Sequence, residues 1–205
     1  MEASENRKSK LELLEFEWIN QPELFKLEND SLTIITDPET DFWQRTYYGF
    51  KNDNGHTFVT QVEGDFTFEV KAEYLAVNQY DQCGIILYQD SENWMKASVE
   101  YENKQFARLG SVVTNLGFSD WASTDIPTKV TVMWYRLSRR GQDFCISDSS
   151  DGITYQQMRI FHMHHPVNVA RIGVYACSPL KSSFKAVFSD FDLGKCSWRA
   201  HSDNY

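Results

Sequence analysis

The chain has 205 residues, with 20 Lys and Arg against 29 Asp and Glu, giving a formal net charge of −9. Hydrophobic residues make up 41%, enough for one domain to bury its own core without a disulfide or metal staple, and the acidic balance argues against a binder of nucleic-acid backbones, which needs clustered Lys and Arg. No apolar run approaches the roughly 20 residues of a membrane span, and residues 1–10 lack the apolar centre of a signal peptide, so the expected setting is the cytoplasm, away from membranes and nucleic acid.

Residues 1–10 are polar and are expected to form a disordered tail. From residue 11 onward helical periodicity is nearly absent. Short runs rich in Val, Ile, Thr, Phe and Tyr recur instead, and they predict strands over 11–16, 31–36, 56–62, 66–74, 84–89 and 93–101. Further strands are expected over 105–114, 129–138, 143–148, 153–161, 168–177 and 184–193. Turn chemistry separates them, as in Asn52-Asp53-Asn54-Gly55, Glu63-Gly64-Asp65 and Asp151-Gly152. Twelve strands are too many for one open twisted sheet, so an all-β sandwich of two packed sheets is expected over 11–195, with 196–205 as a C-terminal tail. Cys83, Cys145, Cys177 and Cys196 form no C-x-x-C pair and are expected to stay reduced.

Alternation assigns faces within these strands. In 94–101, Met95, Ala97, Val99 and Tyr101 form an apolar set, while Trp94, Lys96, Ser98 and Glu100 form a polar set carrying one large aromatic. In 131–138, Met133, Tyr135 and Leu137 oppose Trp134, Arg136 and Ser138. Trp with charge on both outer faces reads as the lining of one cleft, where an aromatic plate meets convergent polar groups. The alternative is a surface salt-bridge lattice covered by Trp.

Several segments together resemble a known family. They are Trp18-Ile19-Asn20-Gln21-Pro22, Thr40-Asp41-Phe42-Trp43-Gln44-Arg45-Thr46-Tyr47-Tyr48-Gly49-Phe50, Tyr80-Asp81-Gln82-Cys83-Gly84-Ile85 and Trp94-Met95-Lys96 with Glu100-Tyr101. Val112-Val113-Thr114-Asn115, Ser119-Asp120-Trp121, Ser150-Asp151-Gly152 and Ala176-Cys177-Ser178-Pro179 complete the series. In order and spacing these resemble the family of unknown function that includes the fungal regulation-of-enolase protein, over roughly residues 15–193. Cys83 stands where that family more often has Ala. The resemblance implies a concanavalin A-like lectin/glucanase fold, which is an antiparallel two-sheet jelly-roll sandwich with one concave sheet, together with a regulatory role in carbohydrate metabolism and a glycolytic enzyme as a partner. The link from that fold to carbohydrate is analogy alone.

The residues expected to line the ligand site are Tyr80, Asp81, Gln82, Trp94, Lys96, Glu100, Trp121 and Arg136. Asp, Gln and Tyr suit sugar hydroxyls, Trp offers a stacking face, and Lys96 and Arg136 would hold a carboxylate or phosphate. Trp121 lies in a loop-like stretch and is the rim candidate, with Trp43 also weighed for stacking. Asp81 has a structural alternative, a turn in which it accepts backbone amides. Lys96 beside Glu100 is expected to keep that carboxylate ionised, which suits a ligand clamp better than a general acid.

A glycosidase needs two carboxylates about 5–5.5 or 6.5–9.5 Å apart across a cleft. The nearest motif, Glu63-Gly64-Asp65-Phe66-Thr67-Phe68-Glu69, misplaces its second Glu by one position and so onto the wrong strand face. His162-Met163-His164-His165 lacks a third patterned ligand, so no metal, cofactor or catalytic residue is assigned. The expected function is a non-catalytic module binding a carbohydrate-like or small polar ligand. A protein–protein regulator of a metabolic enzyme is the alternative, and a glycoside hydrolase is the least favoured reading.

Overall fold

The computed structural model describes residues 9–10, 13–28 and 30–199. Its elements run β1 (Ser9–Lys10), a 3-10 turn (Leu13–Glu15), β2 (Glu17–Ile19), β3 (Leu24–Glu28), β4 (Ser31–Ile35), β5 (Phe42–Gln44) and β6 (Lys51–Asp53). They continue with β7 (His56–Glu63), β8 (Phe66–Tyr74), β9 (Gln82–Asp90), β10 (Asn93–Tyr101), β11 (Phe106–Asn115) and β12 (Phe118–Pro127). β13 (Val132–Arg140), β14 (Asp143–Ser149), β15 (Gln156–His162), β16 (Val169–Cys177) and β17 (Lys185–Lys195) close the chain. Among the described residues no helix is long and apolar enough to cross a membrane.

Two large antiparallel sheets make the expected sandwich. One has the order β15-β14-β13-β8-β17-β4-β3, with β1 also on β17, and the other has the order β12-β11-β10-β9-β16-β7-β2. Their facing sides carry the alternate apolar residues that the sequence pattern selected. Phe68, Val70, Ala72, Met133, Tyr135 and Leu137 from one sheet meet Ile85, Leu87, Met95, Ala97, Val99 and Val174 from the other, all buried in one core. At roughly 25 cal/mol per Å² of apolar surface removed from water, this shared layer is the main source of stability.

A small third sheet pairs β5 with β6. This hairpin lies over part of the outer face of the β12–β2 sheet. Phe42 is fully buried there among Val59, Ile86, Tyr88, Trp94, Val112, Tyr175 and Cys177, so the hairpin creates a second apolar cluster on a face that would otherwise be wet. Polar ties hold it down. The Gln44 backbone N–H donates to Ser119 Oγ (2.9 Å), and its side-chain amide donates to Ser91 O (2.8 Å). Arg45 bridges Glu92 and Gly117 O, and Tyr88 donates to Asp53 Oδ2 at 2.8 Å.

Three sequence expectations change. Residues 11 and 12 lie outside the described residues, and Leu13–Glu15 forms a 3-10 turn in place of a strand. The Phe16 N–H bonds Leu13 O, and these two side chains, three apart, both turn inward, which is the 3-10 period and not the strand period. Ser9 and Lys10, expected in the tail, pair with Leu193 and Asp192, whereas residues 1–8 lie outside the described residues. β2, β3, β5, β6 and β12 were not anticipated, because β3 and β12 are edge strands with largely exposed side chains and β2, β5 and β6 are three residues each, so none carries an apolar alternation to read. Cys83, Cys145, Cys177 and Cys196 are free thiols, and burial pushes the Cys83 thiol up.

Candidate functional site

The outer face of β9, β10 and β11 forms the floor of a cleft of about 430 Å³, within the size range of small-molecule sites. Strand pairing sets that floor. Glu100 lies opposite Gln82 on β9 and Arg108 on β11, Ser98 opposite Gly110, and Lys96 opposite Val112. The register continues outward, with Val112 opposite Trp121 on β12. Even-numbered residues of 94–101 therefore do face away from the core, as the alternation required.

The floor is a hydrogen-bonded polar set. Lys96 Nζ donates to Gln82 Oε1 at 2.9 Å and lies 3.6 Å from Asp41 Oδ1. Gln82 Nε2 donates to Glu100 Oε2 at 2.9 Å, and Tyr175 donates to Gln82 Oε1 at 3.0 Å. Gln82 thus relays between a cation and a carboxylate. Arg108 lies 3.7 Å from Glu102 Oε2, with its guanidinium 5.3 Å over the Trp121 ring. Gln79 holds the other Glu102 oxygen at 2.6 Å.

The walls are aromatic. The hairpin supplies Trp43, Tyr48 and Phe50, with Tyr48 and Phe50 stacked at 5.7 Å and Trp43 meeting Tyr48 edge-on at 5.5 Å. Trp121 is the opposite wall and is 37% exposed. Gly110 lets it lie close, because a Cβ there would come within 2.7 Å of Ala122 O and 3.1 Å of Trp121 Nε1. Tyr80, Pro179 and Leu180 complete the lining.

Burial pushes the Glu100 carboxyl from an ordinary 4.5 up to about 7. Lys96 opposes that rise, Asp41 and Glu102 add to it, and Arg108 opposes it. The expectation that Lys96 keeps Glu100 firmly ionised is therefore corrected. Desolvation outweighs the cation, and Lys96 makes its ion pair with Asp41 instead.

Of the eight residues expected to line the site, Tyr80, Gln82, Lys96, Glu100 and Trp121 do line the cleft. Trp121 does so from a strand and not from a loop. Asp81, Trp94 and Arg136 do not. Asp81 is fully buried, accepting Ser178 and Ser182 hydroxyls at 2.8 and 2.9 Å and the Asn78 and Val77 amides at 2.9 and 3.2 Å, which is its structural alternative. Trp94 has the expected parity, but the hairpin roofs that end of the face, and Phe42 packs on Trp94 at 5.6 Å between ring centres. Arg136 sits on β13 in the other sheet, where its Nε lies 3.0 Å from Glu69 and its guanidinium stacks 3.6 Å from the Tyr155 ring centre. The outer faces of a sandwich point away from each other, so two strands in different sheets cannot share one hollow.

Asp41, Tyr48, Phe50, Asn52, Glu102 and Arg108 line the cleft without having been singled out. For Glu102 the signal was available, because it continues the parity of Glu100. Arg108 comes opposite Glu100 only through the observed register of the β10–β11 hairpin, which closes two residues later than the expected strand ends would have it. The motif Glu63–Glu69 lies away from the cleft, with Asp65 accepting the Gly141 amide at a turn and Glu69 bonded to Arg136. His162 is exposed and bonds Asp143 at 2.6 Å, and among the described residues no group of three or more His, Cys, Asp or Glu is arranged to hold a metal ion.

A family model described as a protein of unknown function, DUF1349, matches residues 18–196. The chain belongs to the DUF1349 family. This DUF1349 chain is 32% identical over 182 residues to the Saccharomyces cerevisiae protein named Regulation of enolase protein 1, covering 89% of this chain and 90% of the yeast protein. A crystal structure of a functionally unknown protein from Saccharomyces cerevisiae superposes with a TM-score of 0.85 at 31% identity, covering 90% of this chain and 98% of that one. The GH43 BlXynB protein from Bacillus licheniformis superposes with a TM-score of 0.68 at 14% identity, covering 93% of this chain and 38% of that one. At that identity the likeness to BlXynB is one of fold alone.

Proposed function

We propose that this protein is a cytoplasmic, non-catalytic binding module that takes a carbohydrate-like or other small polar ligand into the β9–β11 cleft. The observation that carries this reading is a hydrogen-bonded polar floor set between two aromatic walls in a space of ligand size. Such a floor presents donors and acceptors at fixed positions, and ring faces suit the C–H surfaces of a sugar. Titration of the purified chain with neutral mono- and disaccharides, followed by tryptophan fluorescence, tests it. Trp121→Ala should weaken the response about threefold to tenfold, as expected for loss of a stacking contact. Equal responses from wild type and Trp121→Ala would remove the cleft from consideration.

A second reading is favoured by the lip of the hairpin. Tyr47 is 94% exposed and meets Tyr48 at 5.0 Å, beside Phe50, making an aromatic cluster that suits a protein hot spot. The name of the yeast relative makes enolase the first partner to try. Purified enolase titrated against wild type and Tyr47→Ala separates this reading from small-ligand binding, since Tyr47 does not line the cleft.

A further inference from the structure

We propose that the cleft selects an uncharged, hydroxyl-bearing ligand and turns away phosphorylated or carboxylated forms of the same sugar, because both of its cations are already committed to its own carboxylates. This deepens the reading of the cleft as a ligand site and rests on it.

The charges that line the cleft are Asp41, Glu100 and Glu102 against Lys96 and Arg108. An anionic ligand would need one of the two cations. Lys96 is 6% exposed, donates to Gln82, pairs with Asp41, and lies 5.6 Å from the Tyr175 ring centre and 6.0 Å from that of Trp94. Moving it would leave Asp41 and the Gln82 relay without their cation. Arg108 is held more loosely, 32% exposed and paired with Glu102 at 3.7 Å, but its partner depends on it. Glu102 Oε2 is buried and has no hydrogen-bond partner among the described residues, so the Arg108 guanidinium 3.7 Å away is the positive charge that compensates it. Drawing Arg108 toward a phosphate would leave the buried Oε2 of a mostly covered carboxylate without its cation, which is costlier than a lost surface pair.

Acceptors, in contrast, remain on offer. Glu100 receives one hydrogen bond at Oε2 and has no ion pair among the described residues, and Ser98 and Asn52 also line the space. Hydroxyl donors from a neutral ring match this set, whereas a further anion brings a fourth negative charge beside two cations in a partly desolvated site. Lys96 fixes the floor and does not meet the ligand as a free cation.

The test is calorimetric titration of the full chain at pH 7.5 with glucose, cellobiose and xylobiose in one arm and glucose 6-phosphate and glucuronic acid in the other. The expected result is at least one neutral sugar binding ten times or more tighter than either charged one, with binding weakened by Trp121→Ala. Glu102→Gln, which frees Arg108, should narrow that gap. If Glu102→Gln does not fold, Arg108→Gln replaces it, and weak binding of the charged sugars should then be no weaker than in wild type. Charged sugars that bind as tightly as neutral ones, and lose binding in Trp121→Ala, would overturn the selectivity and leave the cleft reading standing. Absence of binding in both arms would overturn both.

Discussion

Replacing Glu100 with Gln keeps the size of the side chain and an oxygen to accept the Gln82 amide, but removes the titrating carboxyl. In the folded protein that carboxyl titrates near 7, against 4.5 for an unburied Glu. Between those two values the folded state binds a proton that the unfolded state has lost, so wild-type stability falls as pH rises from about 4.5 to about 7, and is level above that for this group. A raised carboxyl of this size corresponds to about 3 kcal/mol, an upper figure because the cleft is open to screening water. Urea denaturation of both proteins across pH 4.5 to 8 measures it. Subtracting the two curves cancels the other titrating groups, and the advantage of Glu100→Gln should grow by up to about 3 kcal/mol over this span. With a slope of about 2–3 kcal/mol/M, that is a midpoint difference near 1 M. Curves that stay parallel would refute the claim that burial, and not Lys96, governs Glu100.

The remaining predictions separate packing from binding. Trp94→Ala should cost about 3–5 kcal/mol in chemical denaturation, because it empties the cluster under Phe42, whereas Trp121→Ala should cost far less stability. Arg136→Ala should leave ligand titrations unchanged, since Arg136 pairs with Glu69 on the other sheet, and a change there would contradict the placement. Asp81→Ala should lower stability by about 3 kcal/mol or more, because two hydroxyls and two amides lose their acceptor, as measured by thermal or urea unfolding. Gly110→Ala should cost about 1–3 kcal/mol and shift the tryptophan emission, since its Cβ presses on Ala122 O and the Trp121 indole.

Much of the architecture was legible residue by residue. Of the expected inward set Met95, Ala97, Val99 and Tyr101, the first three lie in the core with Met133, Tyr135 and Leu137, because a strand with one buried face must alternate, whereas Tyr101 at the strand end is only partly buried. The outward positions Lys96, Ser98 and Glu100 follow from the same parity. Edge strand β12 was invisible for the converse reason, its side chains being mostly exposed on both faces.

The sequence by itself therefore determined the class of fold, the two inward faces and the parity of the cleft floor, because these depend on local alternation and on the number of strands. Tertiary structure alone decided which strands became neighbours, so that Arg108 and Asp41 join Glu100 while Arg136 goes to the opposite side of the sandwich. It also decided that the 42–53 hairpin covers Trp94 and leaves Lys96 at the edge of the opening. Sheet assignment and hairpin docking are set by contacts between residues far apart in the chain, and no periodicity within a single strand encodes them.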